Sequence, residues 1–202
     1  MNNLKIKKLI KLYWLWGKIY PYLVSQIMAI YSRDSGRVLE LGLFAGGISL
    51  DMAARYPKLN ITIVPGNRDI VAFLRKQVIK SGFSENISIA NDDFINLSFP
   101  DNSFDLVILR GAFFFIIEES TILQNISRVL KHSGLAIIGG GYGKDTPPEI
   151  IAEISDESRR LNDELGRVRV NINKLKSLIT REHLTERCQI IEDGGIWIIM
   201  RK

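Results

Sequence analysis

The chain has 202 residues, 46% of them hydrophobic and 24% charged, which predicts one globular domain with a substantial core. One cysteine, Cys188, and two histidines exclude an internal disulfide and argue against a zinc site, so no metal is expected. No apolar run reaches the roughly 18 residues of a membrane-spanning helix, and the start lacks the pattern of a secretion signal, which together predict a cytoplasmic protein.

The N-terminal segment, residues 1–34, is predicted to form two helices, with apolar side chains at helical spacing before and after Pro21. This segment accounts for the whole net charge of +5. A solvated basic helix face is favoured over contact with nucleic acid or an acidic membrane surface. Its aromatic residues are predicted to be core, with a lid over a ligand as the alternative, in which case Tyr13 and Tyr20 would contact the substrate.

Residues 35–202 alternate strand and helix, and near-continuous apolar strands such as 106–109 indicate parallel strands buried on both faces. Two apolar runs flank Asp193-Gly194-Gly195, which predicts a C-terminal antiparallel hairpin. The expected fold class is therefore α/β: a Rossmann-like, doubly wound, mostly parallel seven-stranded sheet with two N-terminal helices. Before the hairpin, strands are predicted at 38–41, 61–64, 86–90, 105–109 and 135–139, and helices at 46–55, 68–81, 119–131, 148–164 and 171–184.

The stretch 37–50 reads as a buried strand ending near Glu40, a glycine-bearing turn, and a helix that opens near Gly46. Such a strand-turn-helix directs backbone N–H groups towards a ligand, and glycine permits a close approach that a Cβ would block. By itself the pattern is shared by many nucleotide-binding folds.

Three tracts in the expected order resemble the class I S-adenosylmethionine-dependent methyltransferases, in particular their small-molecule "type 11" branch. The stretch 37–50 is similar to the first family motif, an acidic residue followed by Gly-x-Gly-x-Gly. Residues 91–105, with Leu97-Ser98-Phe99-Pro100-Asp101-Asn102-Ser103-Phe104-Asp105, resemble the family's Leu-Pro-Phe-x-Asp-x-Ser-Phe-Asp. Residues 128–134 are similar to its Arg-Val-Leu-Lys-Pro-Gly-Gly helix end.

The resemblance implies S-adenosylmethionine as cofactor, S-adenosylhomocysteine as product, and a division of the site between them and an acceptor. The first motif would wrap the methionine part, with Glu40 near its amino group. Asp93, or alternatively Asp92, would receive the adenine amino group. Arg110 and Gly111 would lie under the sulfonium and face the substrate. The full set of expected cofactor contacts is Glu40, Gly42, Leu43, Phe44, Ala45, Gly46, Pro65, Gly66, Asn67, Asp92, Asp93, Phe94, Arg110 and Gly111.

Two positions depart from the family pattern. Phe44 stands where the family keeps its middle glycine, and Pro65 stands where it places the acid that grips the ribose hydroxyls. Losing that charge-assisted contact costs about 1.5–3 kcal/mol, which weakens binding roughly ten- to a hundredfold. Asn67 would offer a weaker substitute. These departures support an alternative in which the protein binds this cofactor or its product without catalysis.

No catalytic residue is predicted, because positioning and desolvation supply most of the rate of methyl transfer from a sulfonium. The glycine-rich stretch 139–143 after the fifth strand indicates either close approach of a ligand or a tolerant turn. Phe114, Gly141 and Tyr142 are candidate substrate contacts, and the apolar run at 113–115 favours an apolar or flat acceptor. The expected partner is a small molecule. An RNA or protein methyltransferase is the rival reading, a nucleic-acid partner is not expected, and a homodimer is left open.

Overall fold

The computed structural model describes residues 3–116 and 121–202, which form a central sheet flanked by helices. The helices are α1 (Asn3–Leu15), α2 (Tyr20–Tyr31), α3 (Gly47–Arg55), α4 (Arg68–Ser81), α5 (Phe113–Ile116), α6 (Thr121–Val129), α7 (Pro148–Glu164) and α8 (Ile172–Arg181), with 3₁₀ turns at Trp16–Lys18 and Thr185–Arg187. The strands are β1 (Ser35–Leu41), β2 (Lys58–Val64), β3 (Ile87–Ile89), β4 (Phe104–Arg110), β5 (Leu130–Gly141), β6 (Cys188–Ile191) and β7 (Gly195–Arg201).

The seven strands follow the order β3-β2-β1-β4-β5-β7-β6, which confirms the predicted α/β fold. The first five pair in parallel, and their apolar side chains are buried because helices cover both faces of the sheet. β7 runs antiparallel between β5 and β6, so the predicted C-terminal hairpin closes one edge. The order of the strands reverses between β1 and β4, since β2 and β3 lie on one side of β1 and β4 and β5 on the other. In such sheets ligands bind near this switch point, beyond the carboxyl ends of the strands.

The fifth strand is longer than predicted, because the glycine-rich stretch belongs to it. β5 continues to Gly141, and Gly139 and Gly141 pair with Trp197 and Gly195 of β7. A Cβ on Gly141 would lie 2.0 Å from the Gly194 carbonyl oxygen. These glycines are therefore required by the close approach of β7 and its turn, rather than by a loose loop.

One helix prediction in the middle of the chain needs correction, and one short helix was not predicted. The helix expected at 119–131 is described from Thr121 to Val129, and the next two residues already belong to β5. Positions 119 and 120 lie outside the described residues. The short helix α5 was not predicted, since its three consecutive phenylalanines carry no helical period.

The N-terminal helices lie against the core and against α7. Trp16 and Tyr20 are buried, whereas Trp14 stays exposed. Three lysines of this segment form ion pairs with glutamates of α7, namely Lys8–Glu164 (2.9 Å), Lys11–Glu157 and Lys18–Glu153. Exposed pairs of this kind contribute about 0–1 kcal/mol each, so they orient α1 more than they stabilise it. None of the helices in the described residues is long and apolar enough to cross a membrane.

Candidate cofactor cleft and acceptor pocket

The turn after β1 is shaped by glycine and capped by a buried carboxylate. Gly42 and Gly46 have φ angles of +100° and +115°, which L side chains rarely adopt. One oxygen of Glu40, Oε2, accepts hydrogen bonds from the backbone N–H groups of Gly46 (2.9 Å) and Ser49 (3.0 Å) and from the Ser49 hydroxyl. Two N–H groups at the start of α3 are thus bound to Glu40, where a negative charge is favoured by the helix dipole.

Glu40 and Arg110 are the two charged residues buried at this end of the sheet, 2% and 6% exposed. Burial raises the pKa of Glu40, and the hydrogen bonds from Ser49 and Gly46 oppose that rise. Burial lowers the pKa of Arg110, against the influence of Tyr20, Tyr142 and Glu40. Within the described residues no carboxylate forms an ion pair with Arg110, so Glu40 acts on it only over a longer distance.

Gly42 is in contact with protein rather than open to a ligand. A Cβ at this position would lie 2.4 Å from the Cβ of Ala112. Gly46 is similarly covered by Leu74, and Gly47 by the ring of Tyr20. Larger residues at Gly42 would therefore disturb the fold itself, which makes this position a poor probe of ligand binding.

Phe44 fills the space where the resemblance places the methionine part of the cofactor. The side chain is 7% exposed, and its ring lies 5.0 Å from Trp16 and 5.4 Å from Phe115, centroid to centroid. It also covers Gly111, since a Cβ there would lie 3.1 Å from the Phe44 ring. The ring thus separates the glycine turn from the Arg110 side of the sheet.

A cleft of about 340 Å³ opens beyond the carboxyl ends of β2 and β3. It brings together most of the residues predicted to hold the adenosine part, lined by Pro65, Gly66, Asn67, Arg68, Val71, Ala90, Asn91, Asp92, Asp93 and Phe94. Phe94 is 8% exposed and packs against Gly66, where a Cβ would lie 2.4 Å from its ring. The Asn67 side chain oxygen accepts the Asp69 N–H at 2.9 Å and so caps α4. That oxygen is consequently occupied, although it was expected to face the ribose.

The two aspartates of the cleft hold their own loop in place. Asp92 accepts the backbone N–H groups of Asp93 and Ser98, both at 2.9 Å. Asp93 is exposed, and its carboxylate accepts from the Ile95 N–H at 2.9 Å. The Ile95 hydrogen bond lowers the pKa of Asp93 against the opposing effect of burial, so this side chain stays an acceptor at neutral pH.

A second cavity, of about 150 Å³, lies at the carboxyl ends of β4 and β5 and is here called the acceptor pocket. Phe44 contacts two of its lining residues, Trp16 and Gly111. Its lining includes the predicted residues Arg110, Gly111, Phe114, Gly141 and Tyr142, and also Trp16, Gly140, Ser158, Asn162 and Arg167. The sequence interpretation missed the last three. Val168 donates its N–H to the Phe114 carbonyl at 2.9 Å, which holds Arg167 beside the pocket. The alternation of basic and apolar residues at 167–170 was the available signal, because it is typical of an extended segment with two distinct faces.

The predicted substrate contacts Tyr13 and Tyr20 are directed at protein groups. The Tyr20 hydroxyl donates to the Tyr13 carbonyl at 3.2 Å, and its ring covers Gly47. Tyr13 lies edge-on to Phe73 of α4, with 5.0 Å between ring centroids, and burial raises its pKa to about 12. Neither phenol is suited to act as a base in this arrangement. In the described part of the chain no group of three His, Cys, Asp or Glu side chains is arranged to hold a metal ion.

Comparison with known proteins agrees with this geometry. A family model described as a methyltransferase domain matches residues 38–134. A solved structure from Methanococcus maripaludis, a proposed S-adenosyl-L-methionine-dependent methyltransferase, superposes with a TM-score of 0.81 at 26% identity, over 93% of this chain and 87% of that one. The chain therefore has the fold of the class I methyltransferases.

Sequence relatives point to the same class. Phosphatidylethanolamine N-methyltransferase of Cereibacter sphaeroides is 25% identical over 75% of this chain and 72% of its own length. A sterol 24-C-methyltransferase of Gibberella zeae is 32% identical over 56% of this chain, which spans only 29% of that enzyme. Over residues 38–134 the chain is thus similar to methyltransferase domains.

Proposed function

We propose that the protein is a methyltransferase that binds S-adenosylmethionine in the cleft and transfers its methyl group to a small, partly apolar molecule. The single observation that supports this most strongly is the cleft beyond the carboxyl ends of β2 and β3, which gathers most of the residues expected to hold the adenosine part, with a separate pocket at the ends of β4 and β5. The cofactor would supply an electrophilic methyl group bound to a sulfonium sulfur. When the acceptor takes the methyl, the sulfur keeps the electron pair of the broken bond and becomes the thioether of the product.

The cleft lining fits the adenosine half of the cofactor. Gly66 and Phe94 offer a flat apolar surface, and Asp93 offers an exposed acceptor for the adenine amino group. Pro65 supplies neither a carboxylate nor an N–H to the ribose. We therefore expect weaker binding than in relatives that carry an acid at this position.

The methionine half fits only if the Phe44 ring leaves Gly111. Trp16, Phe115 and Phe44 would then form the apolar walls around the reacting centre and exclude water from it. Transfer to a carbon, nitrogen or oxygen that is already nucleophilic needs no base. This agrees with the absence of a triad-like arrangement among the candidate site residues.

A second candidate function is binding of the cofactor or its product without transfer. The burial of Phe44 against Gly111 favours it, because a closed methionine site lowers affinity in the resting state. The two functions differ in whether the thioether product is formed. The rival RNA or protein methyltransferase is disfavoured by the pairing of Lys8, Lys11 and Lys18 with α7, which leaves fewer free cations for phosphates.

Calorimetric titration with S-adenosylmethionine and, separately, S-adenosylhomocysteine tests the proposal. We expect saturable binding with a Kd of about 1–100 μM. Val71→Trp fills the cleft and should weaken binding at least about tenfold. Ile79→Trp lies on the same helix at a 71% exposed position and serves as the matched control. No binding of either ligand at millimolar concentration would refute the proposal.

A further inference from the structure

The acceptor pocket is lined by two arginines, Arg110 and Arg167, and each has at least one buried guanidinium N–H that forms no hydrogen bond with the protein. Arg110 donates through Nη2 to the Gly141 carbonyl at 2.9 Å, but its buried Nε and Nη1 have no partner. The buried Nε of Arg167 has none either. Buried donors of charged groups are expensive to leave unpaired, and native structures rarely contain them without a reason.

Arg110 is held rigidly in this state by its neighbours. Its guanidinium carbon lies 3.9 Å from the centre of the Trp16 ring. The Trp16 Nε1 in turn donates to the Ser158 hydroxyl at 2.9 Å, which fixes the indole. A guanidinium fixed between an indole and a strand carbonyl presents its remaining N–H groups in a preset direction. That preorganisation suits a planar acceptor with two oxygens.

The positive charge of the pocket is compensated only in part. Arg167 forms an ion pair with Asp163 through Nη2 at 2.8 Å, and this pair leaves its Nε without a partner. Glu40 is the one carboxylate that acts on Arg110 among the described residues, over a longer distance, and it is already bound at the start of α3. The pocket therefore favours an anionic occupant.

Size and surroundings restrict that occupant to a small molecule with an apolar part. The pocket volume of about 150 Å³ is that of a cavity that accommodates benzene in an unrelated protein. Phe114 and Gly140 line both the pocket and a neighbouring groove of about 430 Å³, whose floor includes Val168, Val170 and Ile196. An acid with an aromatic or aliphatic body would place its charge at Arg110 and its body along this floor.

We propose that Arg110 and Arg167 bind the carboxylate of the methyl acceptor, so that the substrate is a small carboxylic acid with an apolar body. The assignment of the carboxylate to the acceptor rests on the proposed function. The cofactor's own methionine carboxylate is the other source of the same chemistry. Position favours the acceptor, because the pocket shares no lining residue with the adenosine cleft.

Binding of benzoate, compared with benzamide, tests the carboxylate preference without any cofactor. Benzoate should bind saturably and at least about tenfold more tightly than benzamide, which has the same shape without the charge. Equal affinities would overturn the proposal, as would inorganic phosphate binding more tightly than benzoate.

Arg167→Gln should weaken benzoate binding at least about tenfold, because it removes the charge at the unpaired Nε. Arg159→Gln is the matched control, since Arg159 is 57% exposed, pairs with Asp156 and lines neither the pocket nor the groove. Arg110→Lys retains a positive charge but loses the planar set of N–H donors of the guanidinium, and should weaken benzoate binding to a similar extent. An Arg167→Gln protein with unaltered affinity would overturn the proposal.

Competition with S-adenosylhomocysteine distinguishes the two sources of the carboxylate. Simultaneous binding of benzoate and S-adenosylhomocysteine supports an acceptor site, whereas mutual exclusion assigns the pocket to the cofactor and overturns the proposal. If S-adenosylhomocysteine does not bind at all, the proposed function fails and the assignment to an acceptor falls with it. The benzoate titrations still decide independently whether the pocket binds carboxylates.

Discussion

Phe44→Ala separates the stability of the free protein from its affinity for the cofactor. The ring of Phe44 is almost fully buried and makes two aromatic contacts, with Trp16 and Phe115. Truncating a buried phenylalanine destabilises a protein by about 3–5 kcal/mol. The variant should therefore unfold at a lower urea concentration.

Affinity should change in the opposite direction. If the methionine part of the cofactor needs the space over Gly111, the wild-type protein must break both aromatic contacts before it binds. Such contacts contribute about 0.5–1.5 kcal/mol each beyond their buried area, or about 1–3 kcal/mol together. Phe44→Ala removes this requirement, so S-adenosylhomocysteine should bind about 5- to 150-fold more tightly.

Calorimetry and urea unfolding on the same preparation provide the assay. Phe99→Ala is the matched control, because Phe99 makes an edge contact with Phe104, at 5.0 Å between ring centroids, and lines neither cavity. It should lose stability without gaining affinity. A folded Phe44→Ala protein whose affinity is unchanged or lower would refute the argument that Phe44 occupies the cofactor's path.

Two further changes test the cleft and the base of the sheet. Pro65→Asp should tighten S-adenosylhomocysteine binding about ten- to a hundredfold by restoring a charge-assisted ribose contact. The uncharged Pro65→Asn should gain less. If calorimetry shows that Pro65→Asp binds no more tightly than the wild-type protein, the ribose lies elsewhere. Burial alone would raise the pKa of Asp105, but its bonds from the Arg37 N–H (2.8 Å) and the Lys131 ammonium (2.7 Å) hold it below the usual value. Its stabilisation is thus present above pH about 4 and is lost as the pH falls through the lowered pKa. Asp105→Asn should cost about 1.5–3 kcal/mol in urea unfolding at pH 7 and less at pH 3, and a difference that stays constant would contradict this assignment.

The fold was predictable because its signals are local and repeated. Apolar strands such as β4 and the glycines around Asp193 specify parallel burial and a terminal hairpin without any knowledge of tertiary contacts. β5 was cut short in the prediction at both ends: residues 130 and 131 were assigned to the preceding helix, and Gly140 and Gly141 resemble a loop in sequence. Glycine is needed at positions 139 and 141 because Trp197 and Gly195 of β7, which are far away in sequence, approach the β5 backbone closely.

The cofactor residues were predicted as a set from motif order, and the structure gathers most of them around one cleft. What motifs could not reveal is that Glu40 caps α3, that Ala112 covers Gly42 and that Phe44 covers Gly111. The roles of these residues in binding remain predictions. The alternation at 167–170 could have indicated an extended segment, but not its place beside the pocket, which depends on a hydrogen bond between residues 114 and 168.

A crystal structure of the protein with S-adenosylhomocysteine tests the account most directly. The account places the adenosyl group in the cleft between Pro65 and Phe94, with the Phe44 ring moved away from Gly111 and the homocysteine chain in its place. Arg110 should remain on the acceptor side with its unpaired nitrogens free of the ligand carboxylate. Binding outside the cleft, or binding with Phe44 still packed on Gly111, would contradict the account.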